Sequence, residues 1–516
     1  MRRLQIVLAV LLTDVLTLTG CTVGPDFHQP DAPKVNGYTA TPLTTDTTQT
    51  PVALGHGQHF SNVLTVNEAW WTSFGSNKLN SLIDQALQAS PTIEAAQATL
   101  EQAKQSLAAH RGSSLYPQVG LNLGAERQLF NPAAFGQPGN ATAFNLYNAN
   151  VGVSYLFDLF GGNRRSLEAF AAQADYQQHE LRAARLTLAG NLAIAAMTQA
   201  ALDAQMDATQ RIVAIQREQL AIARQRLALG AITLSDVLAL QTQMEQTRAS
   251  LPPLMYKTQQ IHHLIATLCG KTPGDFTPIV FKLTDFSLPQ QLPVVIPSSL
   301  VRQRPDIQAA EALLHVANAQ YGNAIASTYP QINLTGALGQ ESLTMGSLFN
   351  PASAVWSLAG QLSQPLFNAG LKAGVKMADA NLQIANADYR QTVLQAFLNV
   401  ADTLRALDND AQVLDAQNSA DHAAQQALDL TAQQFRLGGV TYLQWLTAQQ
   451  QAQQTRINVI AAQAQRLTDT AALYQAMGGA QVGAPNTPVQ APTIPPAQAH
   501  ENTDQARNHS ILEVSV

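Results

Sequence analysis

The chain has 516 residues and a formal net charge of −6, and only 12% of its residues are charged, against about 25% in ordinary soluble domains. The low charge, its negative sign and the absence of a long basic run argue against a nucleic-acid-binding protein. The 46% of hydrophobic residues excludes a disordered chain, and because only 6% are aromatic we expect closely packed helices with uncharged polar faces.

Residues 1–20 have the features of a lipoprotein signal peptide. Arg2 and Arg3 precede a mostly apolar run that is too short to be a transmembrane helix. The run ends in Leu18-Thr19-Gly20-Cys21, which is similar to the bacterial lipobox, where the cysteine is acylated. An ordinary signal peptide with a chance cysteine is the alternative. Thr22 favours an outer-membrane anchor, and Cys269 is then left without a disulfide partner.

The two halves of the chain match each other, which predicts an internal tandem repeat. Residues 91–100 parallel residues 305–314, and residues 229–233 parallel residues 437–441, so the offset drifts only from 214 to 208. The expected divisions are an extended lipidated segment (21–66), a first repeat (67–270), an equatorial connection (271–297), a second repeat (298–479) and a flexible tail (480–516). The Pro-, Thr- and Gln-rich residues 22–65 are expected to be extended or poorly ordered.

Each repeat is predicted to contain a helix, two strands, a very long helix, a sharp turn and a returning helix. In the first strand Val119, Leu121 and Leu123 alternate with Gly120 and Asn122. A strand of a soluble sandwich would alternate in the same way.

No segment after the signal could cross a bilayer as a helix, so a membrane crossing would need a β-barrel. Four strands cannot close one, whereas three copies of the chain supply twelve.

The long helices are predicted from the absence of proline. Residues 163–229 and 370–437 contain none, and each stretch would extend about 100 Å as a helix. Gly230 and Gly438-Gly439 should form the turns, and Pro252-Pro253 should kink the first return. An ordinary coiled coil is the alternative, but it would not explain why each long helix follows an amphipathic hairpin. The expected fold is therefore an α+β membrane protein: a trimeric twelve-stranded transmembrane β-barrel continuous with a long α-helical barrel.

Motifs for catalysis or metal binding are incomplete. Gly270-Lys271-Thr272 could end a phosphate-binding loop, but Ile265 occupies the position of the first glycine. His179-Glu180 begins a zinc-protease pattern that Ala183 breaks. His56 and His59 could ligate a metal, although we expect an exposed segment there. No nucleophile elbow is present. We therefore expect no enzyme activity, metal or cofactor.

Several motifs in order carry a family resemblance. They are Cys21-Thr-Val-Gly-Pro-Asp-Phe27, Trp71-Thr-Ser-Phe-Gly75, Ile296-Pro-Ser-Ser-Leu-Val-Arg-Gln-Arg-Pro-Asp-Ile307 and the two glycine turns. Over residues 21–479 the chain resembles the outer membrane efflux protein (TolC-like) family, in the lipoprotein branch typified by OprM and NodT. The resemblance implies a homotrimer in the Gram-negative outer membrane and its lipid, with a helical barrel in the periplasm. It also implies a periplasmic adaptor (membrane fusion protein) and an inner-membrane efflux pump, of the RND type, as partners.

The resemblance also implies where function lies. The turns Leu229-Gly230-Ala231-Ile232 and Leu437-Gly438-Gly439-Val440 would contact the adaptor, although the glycines could serve the turns alone. The family usually rings its closed gate with carboxylates after the second turn, where this chain has Gln444 and Thr447. The equivalent acid after the first turn is Asp236. Phe435 replaces a common tyrosine, and Val440 stands where some members have a basic residue.

From these departures we expect a gate closed mainly by packing of Leu443 and Trp445, with Asp236 as the main local acid. Simple coiled-coil packing is the alternative role for Leu443 and Trp445. The sequence favours an exit duct for drugs or other small toxic molecules. A duct for type I protein secretion and a non-channel periplasmic coiled-coil lipoprotein remain as alternatives.

Overall fold

The computed structural model describes residues 22–35, 37–62, 67–136 and 138–479. Cys21, the signal peptide expected over 1–20 and the tail 480–516 lie outside the described residues. The elements of the first half, in chain order, are β1 (His59–Ser61), a 3-10 helix (Trp70–Phe74), α1 (Asn77–Ala89), α2 (Pro91–Leu115), β2 (Gln118–Phe130), β3 (Thr142–Phe157), α3 (Gly162–Ala228), α4 (Leu234–Ala249) and α5 (Leu251–Leu268).

The second half has the same order of main elements. They are β4 (Gln291–Pro293), α6 (Pro297–Gln303), α7 (Pro305–Ala326), β5 (Gln331–Ser342), β6 (Ala354–Ser363), α8 (Ala369–Arg436) and α9 (Tyr442–Ala476). Helix α3 has 67 residues and α8 has 68, and both begin one residue before the start expected from the proline-free stretches. Their first turns are capped by side chains: Asp158 accepts from the N–H groups of Asn163 and Arg164, and Asn368 accepts from that of Leu371.

The four long strands form one antiparallel sheet in the order β2-β3-β5-β6. Its register places Leu121, Val151, Leu338 and Trp356 in one row across all four strands. These side chains are 68%, 45%, 68% and 77% exposed. On the opposite face Asn122 donates to Asn150 at 3.2 Å. The sheet therefore has one apolar and one polar face, and within the chain β2 and β6 are its edges.

Prolines determine where the shorter helices break. The chain that follows the turn at Gly230 is divided at Ser250 into two helices, α4 and α5. The break lies there because Pro252 and Pro253 occupy the first helical turn of α5. Pro91 and Pro305 likewise begin α2 and α7, each directly after a preceding helix. The predicted kink is confirmed as a helix break. No helix in the described ranges is long and apolar enough to cross a membrane.

A large cluster of buried apolar residues lies where the chain segments before α1 and after α5 pack on the middle of the long helices. Trp70 and Phe74 are buried there, and the Trp70 ring stacks on Tyr474 at 5.3 Å. Strand β1 pairs in parallel with β4, a sheet that local alternation could not predict because each strand has only three residues. Cys269 is free and buried, as a small apolar residue would be.

The described part of the N-terminal segment (22–35 and 37–62) has little regular secondary structure and is docked closely on other elements. Arg466 of α9 is 0% exposed. Its guanidinium donates to the carbonyl oxygens of Leu54 (2.9 Å) and His56 (3.0 Å) and to Gln58 Oε1 (3.3 Å). Gln58 in turn donates to Thr470 Oγ1. Buried hydrogen bonds therefore attach residues 54–58 to a helix that lies more than 400 positions later.

Candidate functional site

The two turns at the ends of the long helices have the same hydrogen bonds. Ala231 N–H donates to Arg226 O and Gly230 N–H to Leu227 O, both at 2.9 Å. In the second turn the corresponding bonds run from Gly439 N–H to Gln434 O (2.8 Å) and from Gly438 N–H to Phe435 O (3.1 Å). Gly230 and Gly438 have φ of 72° and 76°, as this helix-ending motif requires. Gly439 has no positive φ, so the turn itself does not require a glycine there.

Both returning helices begin with a reciprocal cap. Asp236 accepts from the N–H and the hydroxyl of Thr233, and the Thr233 hydroxyl accepts from Asp236 N–H. Gln444 and Thr441 make the equivalent three bonds. Asp236, the acid expected to dominate the local charge, is therefore part of a capping box at the start of its helix. Gln444 accepts the same hydrogen bonds at the second turn without a charge.

An aromatic cluster joins the end of α8 to the start of α9. Phe435 and Trp445 stack with centroids 5.4 Å apart and planes within 5°. Tyr442 lies edge-on to Trp445 at 5.5 Å, and the Arg226 guanidinium of α3 lies 5.9 Å from the Phe435 centroid. Phe435 lacks the hydroxyl of the tyrosine that is common at this position, and its ring stacks on Trp445 instead. Sequence reasoning missed Tyr442 and Arg226, although an arginine in the last turn of a helix was a signal.

The remaining predicted residues fall into buried and exposed groups. Ile232 packs on the buried cluster that joins α3, α4 and α9 through Leu220, Leu240 and Leu446. Leu443 is 67% exposed and does not pack in this cluster, so any closure through it involves another chain. Thr447 bonds back to Leu443 O at 3.0 Å. Leu229 and Leu437 are exposed at the tips of the turns, Ala231 is exposed beside them, and Val440 is half-buried.

A cavity of about 250 Å³ opens beside the aromatic cluster. Its walls include Ile222, Ile232, Phe435, Tyr442 and Trp445, with Arg226 and Arg436 among the lining residues. The Tyr442 hydroxyl and the Trp445 Nε1 are buried without a hydrogen-bond partner in the described part of the chain. Burial, and then the negative charge of Asp236, raise the pKa of Tyr442, so its hydroxyl stays protonated. Among the described residues no three His, Cys, Asp or Glu side chains are grouped as for a metal.

A second cluster fixes the chain just after Cys21. Arg165 of α3, which is buried, contacts Asp26 at 2.7 Å and Glu168 at 2.8 Å, and donates to the carbonyl oxygens of Val23 and Gly24. Val23 N–H also donates to Phe160 O at 3.1 Å. The Phe27 ring stacks on His315 at 4.1 Å. Thr22 to Phe27 are therefore attached at the junction between sheet and helices.

Comparison with known proteins places this architecture among characterised families. The family described as outer membrane efflux protein matches residues 82–271 and 296–479. The chain is 28% identical over 473 residues to the probable efflux pump outer membrane protein TtgC of Pseudomonas putida, covering 91% of this chain and 94% of that protein. It is 27% identical over 475 residues to the cation efflux system protein CusC of Escherichia coli, covering 90% and 96%.

Solved structures agree with the fold. The open state of the MtrE outer membrane channel of Neisseria gonorrhoeae superposes with a TM-score of 0.74 at 26% identity. That match covers 89% of this chain and 98% of the other.

Proposed function

Because the chain belongs to the outer membrane efflux protein family, a family of Gram-negative outer-membrane channels and not of enzymes, we propose that it is the exit duct of a tripartite efflux system. It passively conducts drugs or other small toxic molecules from a periplasmic adaptor and an RND-type inner-membrane pump to the exterior. One observation carries the proposal: an open-edged sheet with an exposed apolar face continues directly into two helices that are each about 100 Å long.

The sheet supports a trimer. Its apolar row is unsuited to water, and four strands leave an edge at β2 and another at β6. Three copies joined edge to edge make twelve strands with the apolar face towards lipid and the Asn122 face towards a wet interior. The two matched segments of the family, 82–271 and 296–479, favour a tandem duplication as the origin of the paired elements.

The long helices continue this barrel as a periplasmic tunnel. Their buried stripes are rich in alanine, as at Ala189, Ala193, Ala196 and Ala200 of α3, so neighbouring helices approach closely. At the far end the exposed leucines of the two turns, Leu229 and Leu437, are suited to contact an adaptor. The tip acts as a gate through Phe435, Trp445 and Leu443, with Leu443 packing between subunits.

The lipid anchor supports the same orientation. The hydrogen bonds of Val23 and Gly24 hold the chain immediately after Cys21 at the end of the sheet from which the helices start. We propose that Cys21 carries an acyl group that inserts into the periplasmic leaflet of the outer membrane.

The barrel is tested by placing a charge on either face of β2. Leu121→Arg puts a cation in the apolar row and costs about 2–4 kcal/mol if that row faces lipid, so membrane insertion fails. Asn122→Arg, one position later on the polar face, is the matched control and inserts normally. Equal insertion of both variants, measured by heat-modifiable migration of membrane fractions, contradicts a lipid-facing row.

The cargo class is tested in a strain lacking the gene. We expect increased accumulation of toxic dyes, restored by the wild-type chain, and unchanged export of secreted proteins. Loss of a secreted protein with normal dye efflux would favour the type I secretion duct instead. Cross-linking from Leu229 and Leu437 to a periplasmic protein tests the adaptor contact. Solubility without detergent would favour the coiled-coil lipoprotein.

A further inference from the structure

The cavity beside the aromatic cluster contains two hydrogen-bond donors with nothing to donate to. Tyr442 Oη and Trp445 Nε1 both belong to side chains that line it, and both atoms are buried without a partner among the described residues. Indole N–H is a donor only, and a phenol that stays protonated donates as well. Unsatisfied buried donors are rare in folded proteins, because removing them from water without a partner is costly. An acceptor placed in the cavity would satisfy both donors.

The charges around the cavity indicate what kind of acceptor. Arg226 and Arg436 line it, and within the described residues neither guanidinium makes an ion pair with a carboxylate. Arg436 donates from Nε to Ala432 O, and Arg226 lies over the Phe435 ring. Asp236 is the one acid whose charge acts on Tyr442, and its carboxylate accepts from Thr233 at 2.7 and 2.9 Å. Two guanidinium groups against one carboxylate leave a net positive charge, which together with the two donors favours an anionic ligand.

The walls indicate the rest of the ligand. Phe435, Tyr442 and Trp445 present ring surface, and Ile222 and Ile232 add aliphatic surface. The volume of about 250 Å³ is below that of a typical drug-sized pocket, so it accepts one ring or one branched side chain.

We propose that this cavity binds a carboxylate carried on a single aromatic or branched apolar group. The carboxylate takes the Tyr442 and Trp445 donors and the two guanidinium groups, and the apolar group lies along the rings. Because Arg226 belongs to α3, Arg436 to α8 and Tyr442 to α9, a bound ligand links the helices of both turns. Binding does not require conduction; its consequence, stabilisation of the tip, rests on the proposed function.

The probe is benzoate, titrated into the full-length protein purified in detergent. We expect saturable binding with a Kd of about 1 mM, the affinity that a nine-heavy-atom ligand of ordinary efficiency reaches, together with quenching of Trp445 fluorescence. Benzamide has the same shape without the charge and is expected to bind at least tenfold more weakly. Equal binding of benzamide, or no saturation tenfold above the expected Kd, overturns the proposal and leaves a cavity filled by water.

Variants locate the site. Arg226→Gln and Arg436→Gln each weaken benzoate binding about tenfold, because each removes one charge-assisted contact. Arg224→Gln is the matched control: it removes an exposed guanidinium from the same helix two residues earlier, outside the cavity, and leaves binding unchanged. Trp445→Phe abolishes the quenching and, because it removes one of the two donors, also weakens calorimetric binding. If Arg224→Gln weakens binding as much as Arg226→Gln, the effect is general charge and the site is wrong.

Two further arms test the apolar part of the ligand and separate this inference from the proposed function. An N-acetyl-glutamate amide has a carboxylate but no ring or branched apolar group, so we expect it to bind more weakly than benzoate; tighter binding refutes the proposed ligand class. Pores in planar bilayers without benzoate binding leave the channel intact and refute the inference. Benzoate binding without pores supports the site and refutes the channel.

Discussion

Asp236 and Gln444 have the same structural role, because each accepts the backbone N–H of the threonine three residues earlier, at 2.9 and 2.8 Å. The position therefore needs an acceptor and does not need a charge. A substitution at residue 444 can therefore change the charge at this position without removing the helix cap.

Gln444→Asp is expected to keep the cap and create a ring of three carboxylates in the proposed trimer. Such a ring attracts multivalent cations, so we expect the concentration of hexaamminecobalt that blocks planar-bilayer conductance to fall at least about tenfold. Gln444→Asn, which has the size of aspartate without the charge, is the control and should resemble wild type. Strong block of the wild-type channel that depends on Gln444 or Thr447 would contradict a gate without a carboxylate ring.

Arg466→Met is expected to release the docked N-terminal segment. The carbonyl oxygens of Leu54 and His56 lose their buried cationic donor, which costs about 2 kcal/mol and speeds amide exchange in residues 47–58 roughly 30-fold. Arg456→Met, on the same helix but exposed, is the matched control. Unchanged exchange in the Arg466 variant would mean that the docking depends on other contacts.

Gly24→Ala is expected to detach the residues that follow Cys21. Gly24 has φ of 89°, and a Cβ there would lie 2.6 Å from the Gly322 Cα, a backbone atom that cannot rotate away. Gly37→Ala, which meets nothing within 4 Å and needs no positive φ, is the control. Faster exchange of residues 22–27 in the Gly24 variant alone, by about tenfold or more for a cost above about 1.4 kcal/mol, is the expected result.

Asp410→Asn is expected to stabilise the fold at alkaline pH. Burial, and then the hydrogen bond and charge of Asp469, raise the pKa of Asp410 to about 8, with Arg466 partly opposing them. Between the unfolded pKa of about 4 and that value the folded state keeps a proton that the unfolded state loses, so wild-type stability falls as pH rises.

The variant removes this penalty. Its unfolding midpoint should exceed wild type by about 1–2 °C at pH 9 and match it near pH 4. Asp469→Asn should raise the midpoint by less, because burial still raises the pKa of Asp410 after the charge of Asp469 is removed. A midpoint that is lower at both pH values would show that the carboxyl pair is required structurally.

The sequence predicted those structural features whose physical cause lies within a few residues along the chain, and it missed those that depend on distant residues. The absence of proline and the glycines at 230 and 438 act within one turn of helix, and they fixed α3 and α8 to within a residue. Alternation within β2 was equally local. The contacts of Arg466 could not be predicted, because its partners lie 408–419 positions earlier. The cavity was missed for the same reason: Arg226, Phe435 and Tyr442 meet only after two turns have folded.

The docked N-terminal segment imposes an order on biogenesis. Residues 23–58 leave the ribosome early, yet Arg165, Asn318 and Arg466, which hold them, are made over the following 400 or so positions. Residues 54–58 can be seated only when almost the entire chain is available, whereas the residues nearest Cys21 wait for Arg165 and Asn318. The described residues that are synthesised first are therefore among the last to reach their final place.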